Sequence, residues 1–573
     1  MKYIGKLLIA LWTVISLSVI APDVNVMAEE SGSCGDSAAY TLDSDGVLRI
    51  TGTGAIKELS FYENVEIKSV VIGDGITGIE DGAFRQCSSI EAVNIPDSVT
   101  FISSYAFYGC SSLKSIKIPK DVTIISWAAF KNCSSLTNVE MPEGITKIDV
   151  YAFEGCVSLT YIKIPETVTW IHDRAFYGCS GLTSFDIPDA VTYIGDSAFY
   201  GCTGLRGIDI PDAVTYIGDY AFYKCTGFTS IVIPEGVTSI NMETFGRCSS
   251  LSSVTIPNSV TSIKWNAFVN CTSLVGIELP KGLTDIGYGA FNGCNALSDI
   301  ELPETVNSIG VNAFYNCSSL TSINIPKGVT AIKEGTFYSC KKLARVEMSE
   351  SVTSIEKGAF AYCYCLAEID IPEGVTAIGD DAFVFCISLK SVELPKSVTS
   401  IGESAFRYCR DMKEINIPEG VTSIGPYAFH DCTSLESITI PKGVTELGKW
   451  TFNKCSALRS VELPEGLSRI GEKAFAECDA IETINFPAGL TCIDEKAFYW
   501  CSRIKRVELP KGLTDIGEGA FFCCIGLEEL KLPEGLTNIG TKAFYSCYSM
   551  KELVIPEGVT TIADSAFYVN VIS

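Results

Sequence analysis

Thiols are the first side chains in this sequence that could do chemistry. Of its 573 residues 25 are cysteine, and 21 of these recur every 23 residues from Cys87 to Cys547. Thiols can ligate zinc, pair as disulfides or act as nucleophiles. Zinc asks for C-x-x-C pairs, and the two close pairs, Cys363 with Cys365 and Cys523 with Cys524, have neither that spacing nor a second pair. Disulfides ask for Cβ atoms about 3.8 Å apart. Parallel side chains on neighbouring strands stay about 4.8 Å apart. The spacing therefore predicts a reduced internal row of small, buried thiols. Cys34, Cys365, Cys492 and Cys523 lie outside the row, and Cys34, near the N-terminus, is the expected exposed thiol. The two histidines, His172 and His430, occupy different unit positions with no Ser or Cys elbow beside them. Carboxylates are abundant, but a repeated carboxylate is not a catalytic pair. The sequence implies no enzyme, no cofactor and no metal site.

Binding chemistry is better represented. Trp170, Tyr193 and Tyr216 occupy one outward slot of three consecutive units, and Tyr177, Tyr200 and Tyr223 occupy the slot after a constant phenylalanine in the same units. Exposed aromatic rows are interface material for proteins or sugars. The alternative is that stacked rings only stabilise adjacent strands. A second outward slot, which includes Asp186 and Asp209, is acidic in ten of 21 units and lysine in three. Such a stripe would attract basic protein surfaces, or it would simply keep a long molecule soluble.

The elements that position these residues follow from the period. Phenylalanine recurs every 23 residues from Phe84 to Phe567 without an insertion, and proline from Pro96 to Pro556 with Ser349 as the one exception. A unit reads P-x-x-V-T-x-I-x-x-x-A-F-x-x-C-x-x-L-x-x-I-x-I, as in Pro188 to Ile210. A unit this small cannot fold alone, so copies must stack and share one core. Ile208 and Ile210 alternate inward on one strand, Pro211 closes it, and Val214 to Ile217 form a second short strand. Ala221, Phe222 and Cys225 fit one helical turn. The predicted fold is a β-rich solenoid: an arc of 22 units over 73–573, with parallel strands on two faces and one short helical turn per unit. Residues 29–72 are expected to form an N-terminal β-hairpin cap around the turn Asp43-Ser44-Asp45-Gly46, which lacks the remaining ligands of a calcium loop.

Lys2, Lys6, the apolar run Leu7 to Ile20 and the segment Val26-Met27-Ala28, with cleavage after Ala28, read as a signal peptide over 1–28. No later stretch is apolar for long enough to span a bilayer. A net charge of -25 disfavours nucleic acid and anionic membrane surfaces.

The Leu-x-x-Ile-x-Ile-Pro strand, the Ala-Phe-x-x-Cys turn and the segment CGDSAAYTLDSDGVLRITGTG at 34–54 resemble the BspA-like leucine-rich repeat family of bacterial surface proteins. The resemblance implies an arc that binds through its concave sheet, export to the surface or medium, adhesion to protein or glycan ligands, and no shared catalytic motif. A spacer or surface-layer component without a ligand is the alternative. The sequence stops at Ser573 inside its last repeat, with Asn570 in place of the row cysteine. The expected location is secreted or extracellular, with cell-surface association as the alternative, and the C-terminal edge is expected to fray or to self-associate end to end.

Overall fold

A computed structural model describes residues 30–568. The predicted signal segment and Asn570 lie outside them. The chain is a β-solenoid whose turns repeat every 23 residues. Its inner positions are the ones that the period marks as constant: phenylalanine, alanine, cysteine and the branched aliphatics are buried in unit after unit.

The phenylalanine rings form one continuous stack along the interior. Successive centroids are 5.1–5.7 Å apart, with planes within 12° of parallel. The stack begins one place earlier than the A-F-x-x-C pattern suggests. Phe61 stands 23 residues before Phe84 and stacks on it at 5.3 Å.

Five strands open the array: β1 (Glu30–Ser33), β2 (Ser37–Leu42), β3 (Val47–Ile56), β4 (Ser69–Ile72) and β5 (Ile76–Ile79). β1, β2 and β3 are antiparallel neighbours, and β3 then pairs in parallel with β4 and β5. The β2–β3 turn is held by the Asp43 carboxylate, which accepts the amides of Asp45 and Val47. Gly46 takes φ +83°, a conformation that glycine adopts without strain.

Beyond β5 the units build two parallel ladders, the second with a strand from every unit and the leading one with strands from only some. The leading ladder comes from the I-x-I segment, as where Ser230–Val232 pairs with Ser253–Thr255. The second comes from V-T-x-I, as where Trp170–Ile171, Tyr193–Ile194 and Tyr216–Ile217 pair in register. The second is the more continuous, since past Glu140 the leading ladder breaks into two-stranded pieces. Threonine reinforces it: the Thr215 amide and hydroxyl both donate to the Thr192 carbonyl, at 3.0 and 3.4 Å.

The expected helical turn at Ala-Phe-x-x-Cys is not there, and no residue among those described is helical. In its place runs a chain of tight turns. The amides of Ala106, Tyr108 and Cys110 bond three residues back within the unit. The alternate amides of Tyr105, Phe107 and Gly109 bond forward to carbonyls of the next unit. A helix would keep all of these amides to itself. Here Tyr105 and Gly109 sit at φ 56° and 74°, which resets the chain after each turn and turns every second amide toward the neighbouring unit.

The row cysteines complete this column. Each thiol from Cys87 to Cys547 donates to the carbonyl of the row phenylalanine one unit earlier, at 2.8–3.4 Å. All 25 cysteines are free thiols. Burial pushes the row thiols up, Cys202 well above the ordinary value and Cys248 to about 12, so little reactive thiolate forms. The expectation for Cys34 is overturned. It is 3% exposed beneath the first strands, its carbonyl accepts the Lys57 amide, and burial lifts its thiol to about 11. The exposed thiol is Cys365, with Cys492 and Cys523 half-buried. The two close pairs are split between interior and surface, which suits no metal. A thiol reagent should therefore label Cys365 rapidly in the native protein, Cys492 and Cys523 more slowly, and all 25 only in denaturant without reductant. Fewer than 25 in denaturant would reveal disulfides.

Candidate functional site

The second ladder positions Trp170, Tyr193 and Tyr216 because Ile171, Ile194 and Ile217 take the inward places beside them. Trp170 is 49% and Tyr216 39% exposed, with Tyr193 half-buried between them. Ring centroids are 6.0 Å apart for Trp170 and Tyr193, and 5.0 Å for Tyr193 and Tyr216, the latter pair nearly parallel. The same slot carries Phe101 and Ile124 earlier in the array, both exposed. A search for aromatic triplets passes over them, because Ile124 is not aromatic and Lys147 interrupts the run.

Beside the aromatic row stands a row of carboxylates that the sequence reading missed. The amides of Asp196, Asp219 and Met242 donate to Oδ1 of Asp173, Asp196 and Asp219 in turn, each at 2.9 Å. Glycine makes room for this: a Cβ on Gly218 would stand 2.4 Å from Asp196 Oδ1 and 2.5 Å from the Asp196 nitrogen. Tyr193 Oη donates to Asp173 Oδ1 at 3.4 Å. Burial, then the neighbouring Asp173 charge, pushes the Tyr193 phenol up to about 12. Asp196 is held above the usual carboxylate range by burial, against its hydrogen bond from the Asp219 amide, with Asp173 and Asp219 adding repulsion.

The second expected row behaves differently. Tyr177, Tyr200 and Tyr223 stack at 4.4 and 4.9 Å on the turn column. Tyr223 is only 8% exposed, so it is not the open ring that the sequence reading supposed. Cations of the chain itself cover these rings: Arg174 lies over Tyr177, Lys224 over Tyr200 and Tyr223, and Arg247 over Tyr223. Among the described residues no ring contact joins the two rows. Two further stacks lie on the same column, Tyr315–Tyr338–Tyr362–Phe385–Tyr408 and Tyr499–Phe522–Tyr545–Tyr568. The first shifts by one unit position between Tyr338 and Tyr362, which hides it from a fixed-column reading.

Asp186 and Asp209 are exposed, as the alternation requires, on the leading face in a stretch where no strand forms. They line a shallow cleft of about 230 Å³ with Phe185, Ile208 and Val232, and Tyr161 Oη donates to Asp186 Oδ2 at 3.3 Å. A larger cleft of about 840 Å³ lies further along the same face, bordered by Glu278, Lys281, Asp299 and Glu301. His172 sits against the Trp170 and Tyr193 rings. His430 is packed among Tyr408, Tyr427 and Trp450, and burial and Arg407 lower its imidazole to about 4. Among the described residues no three His, Cys, Asp or Glu side chains are grouped to hold a metal ion. No described helix is long and apolar enough to cross a membrane.

Comparison with known proteins places this geometry. No curated protein matches the chain. A leucine-rich repeat protein from Bacteroides ovatus is similar in structure, with a TM-score of 0.50 and 26% identity over 75% of this chain and 98% of that one. A leucine-rich cell surface protein from Faecalibacterium prausnitzii aligns over 88% of this chain and 95% of its own, at 22% identity and a TM-score of 0.20. The family model described as the BspA type leucine-rich repeat region matches residues 54–183, 169–298, 266–390, 376–505 and 468–573. With the match running from residue 54 to the last residue, the chain belongs to the BspA-type leucine-rich repeat family.

Proposed function

We propose that this chain is a non-catalytic binding protein of the bacterial surface or medium, which engages an extracellular protein or glycan through one side of its solenoid. The observation that carries the reading is the open row Trp170–Tyr193–Tyr216. Two of its rings are well exposed, and the chain puts none of its own described cations over them, unlike the rings of the turn column. Rigid, exposed aromatics held at fixed spacing are good anchors, because little conformational freedom is lost when they are covered. Asp186 and Asp209 add negative charge on the leading face.

The test is a panel of extracellular-matrix proteins and glycans probed with the wild-type chain and with the combined variant Trp170→Ser, Tyr193→Ser and Tyr216→Ser. Outward positions tolerate polar residues, so the variant should keep its circular dichroism and its thiol protection. It should bind the captured ligand at least about tenfold more weakly, the loss of a central aromatic anchor. Unchanged binding would move the site to the acidic leading ladder. A panel without any ligand would favour a spacer.

A further inference from the structure

The carboxylates beside the open row narrow the class of ligand, an inference that rests on the binding reading above. On the turn column, rings meet cations supplied by the chain. Arg85 lies over Tyr62, Tyr105 and Tyr108; Lys131 lies over Tyr151; Arg407 lies over Tyr408 and Tyr427; Lys473 lies 4.1 Å from the Trp450 centroid. The second-ladder rings Tyr193 and Tyr216 have carboxylates beside them, Trp170 has His172, and among the described residues no lysine or arginine lies above any of the three. We propose that this row receives lysine or arginine side chains from a basic segment of a partner protein, the cations lying on the exposed rings at the two ends of the row, Trp170 and Tyr216, and turned toward Asp173, Asp196 or Asp219.

Charge complementarity supports this occupant. From 161 to 219 the chain carries eight carboxylates against Lys163, Arg174 and Arg206. Lys163 is engaged with Glu143, Arg174 with the rings of Tyr151 and Tyr177, and Lys147, the register neighbour of Trp170, with Asp149; among the described residues no ion pair reaches Asp173, Asp196 or Asp219. The three aspartates lie on consecutive units, each with Oδ1 bonded to a backbone amide of the next. A carboxylate row held in that way repels itself, and an incoming cation relieves the repulsion. The ring faces then add the attraction of their quadrupoles, which is larger when the cation is partly desolvated. A neutral sugar would use the rings but leave the carboxylates uncompensated.

The probe is labelled octa-arginine, titrated against the full chain by fluorescence anisotropy at about 150 mM salt, where diffuse attraction is screened beyond about 8 Å. Combined Trp170→Leu, Tyr193→Leu and Tyr216→Leu keeps net charge and apolar character and removes the rings. It should weaken binding about tenfold. Asp173→Asn with Asp196→Asn keeps an acceptor for the backbone amides, and should weaken binding at least about threefold even if the leucine variant misfolds. Glu278→Gln, Glu301→Gln and Glu347→Gln remove three charges from the other ladder and should change binding less than about twofold.

Wild-type affinity in a folded leucine variant or in the asparagine variant, or an equal loss in the glutamine variant, would show diffuse attraction by an acidic chain and overturn the proposal. So would a neutral oligosaccharide binding the row in preference to the peptide. A panel ligand that the serine variant loses but octa-arginine does not displace would defeat the cationic proposal while leaving the binding function intact.

Discussion

Phe199→Ala is expected to destabilise its part of the array by about 3–5 kcal/mol, the usual cost of removing a buried phenylalanine side chain. The ring is fully buried. It stacks between Phe176 and Phe222 at 5.5 Å on either side, and Phe185 meets it edge-on at 4.8 Å. Alanine would leave a gap in a stack whose neighbours are held in place by their own backbone bonds, so the space cannot close. Because each unit contacts chiefly those before and after it, the loss should be local. Hydrogen exchange should show faster opening in the units from about Phe176 to Phe222, while distant units keep wild-type protection. A local loss below about 1 kcal/mol would mean that the stack repacks and is not the source of the unit's stability.

Cys225→Ala should cost about 0.5–1.5 kcal/mol, the net worth of one intramolecular hydrogen bond, because the Phe199 carbonyl still accepts the Cys202 amide at 3.2 Å. The Cys225 thiol donates to the Phe199 carbonyl at 3.2 Å, deep in the core. Alanine removes that donor and leaves a small void. Cys225→Ser keeps a hydroxyl donor in the same direction and should recover part of the loss. The ordering wild type, serine, alanine in local hydrogen-exchange stability is the expected result. If alanine equals wild type, the row cysteines serve only as small apolar filler. Local stability is the right measure here too, since the bond joins two adjacent units and no others.

These two rows were also the most legible features of the sequence, for a shared reason. Phe199 and Cys225 belong to positions whose identity is constant because the surroundings are the same in every turn, so spacing alone reveals them. Phe61 obeys the same spacing but escapes a motif search, because Ser60 and Asn64 replace the alanine and cysteine of its unit. The helical turn was misread for a physical reason. Ala-Phe-x-x-Cys has three-residue spacing, which suits a helix and a run of tight turns equally. The discriminating signal was the residue before the row cysteine. It is glycine or asparagine, types that accept positive φ, in eight of 21 units, Gly109 and Asn132 among them, while Gln86, Lys224 and Trp500 hold the same conformation elsewhere and blur the pattern. The carboxylates of Asp173, Asp196 and Asp219 were visible as letters. Their role depends on the bare backbone of Gly195 and Gly218, and on which side of the ladder the rings take, neither of which the period discloses.

The forward amide bonds of the turn column and the strand pairing of the two ladders all run from one unit to the next, along the axis of the array. A pull between the two ends of the solenoid therefore loads its interfaces in series, each carrying the full force. The weakest interface opens first, while its neighbours keep their own bonds. Each unit released lets out 23 residues of chain, about 75–80 Å when extended, in place of one strand spacing of about 4.8 Å. Held at both ends under flow or shear, such a molecule would lengthen in discrete steps and dissipate work at each one, behaving as a yielding tether rather than a stiff rod.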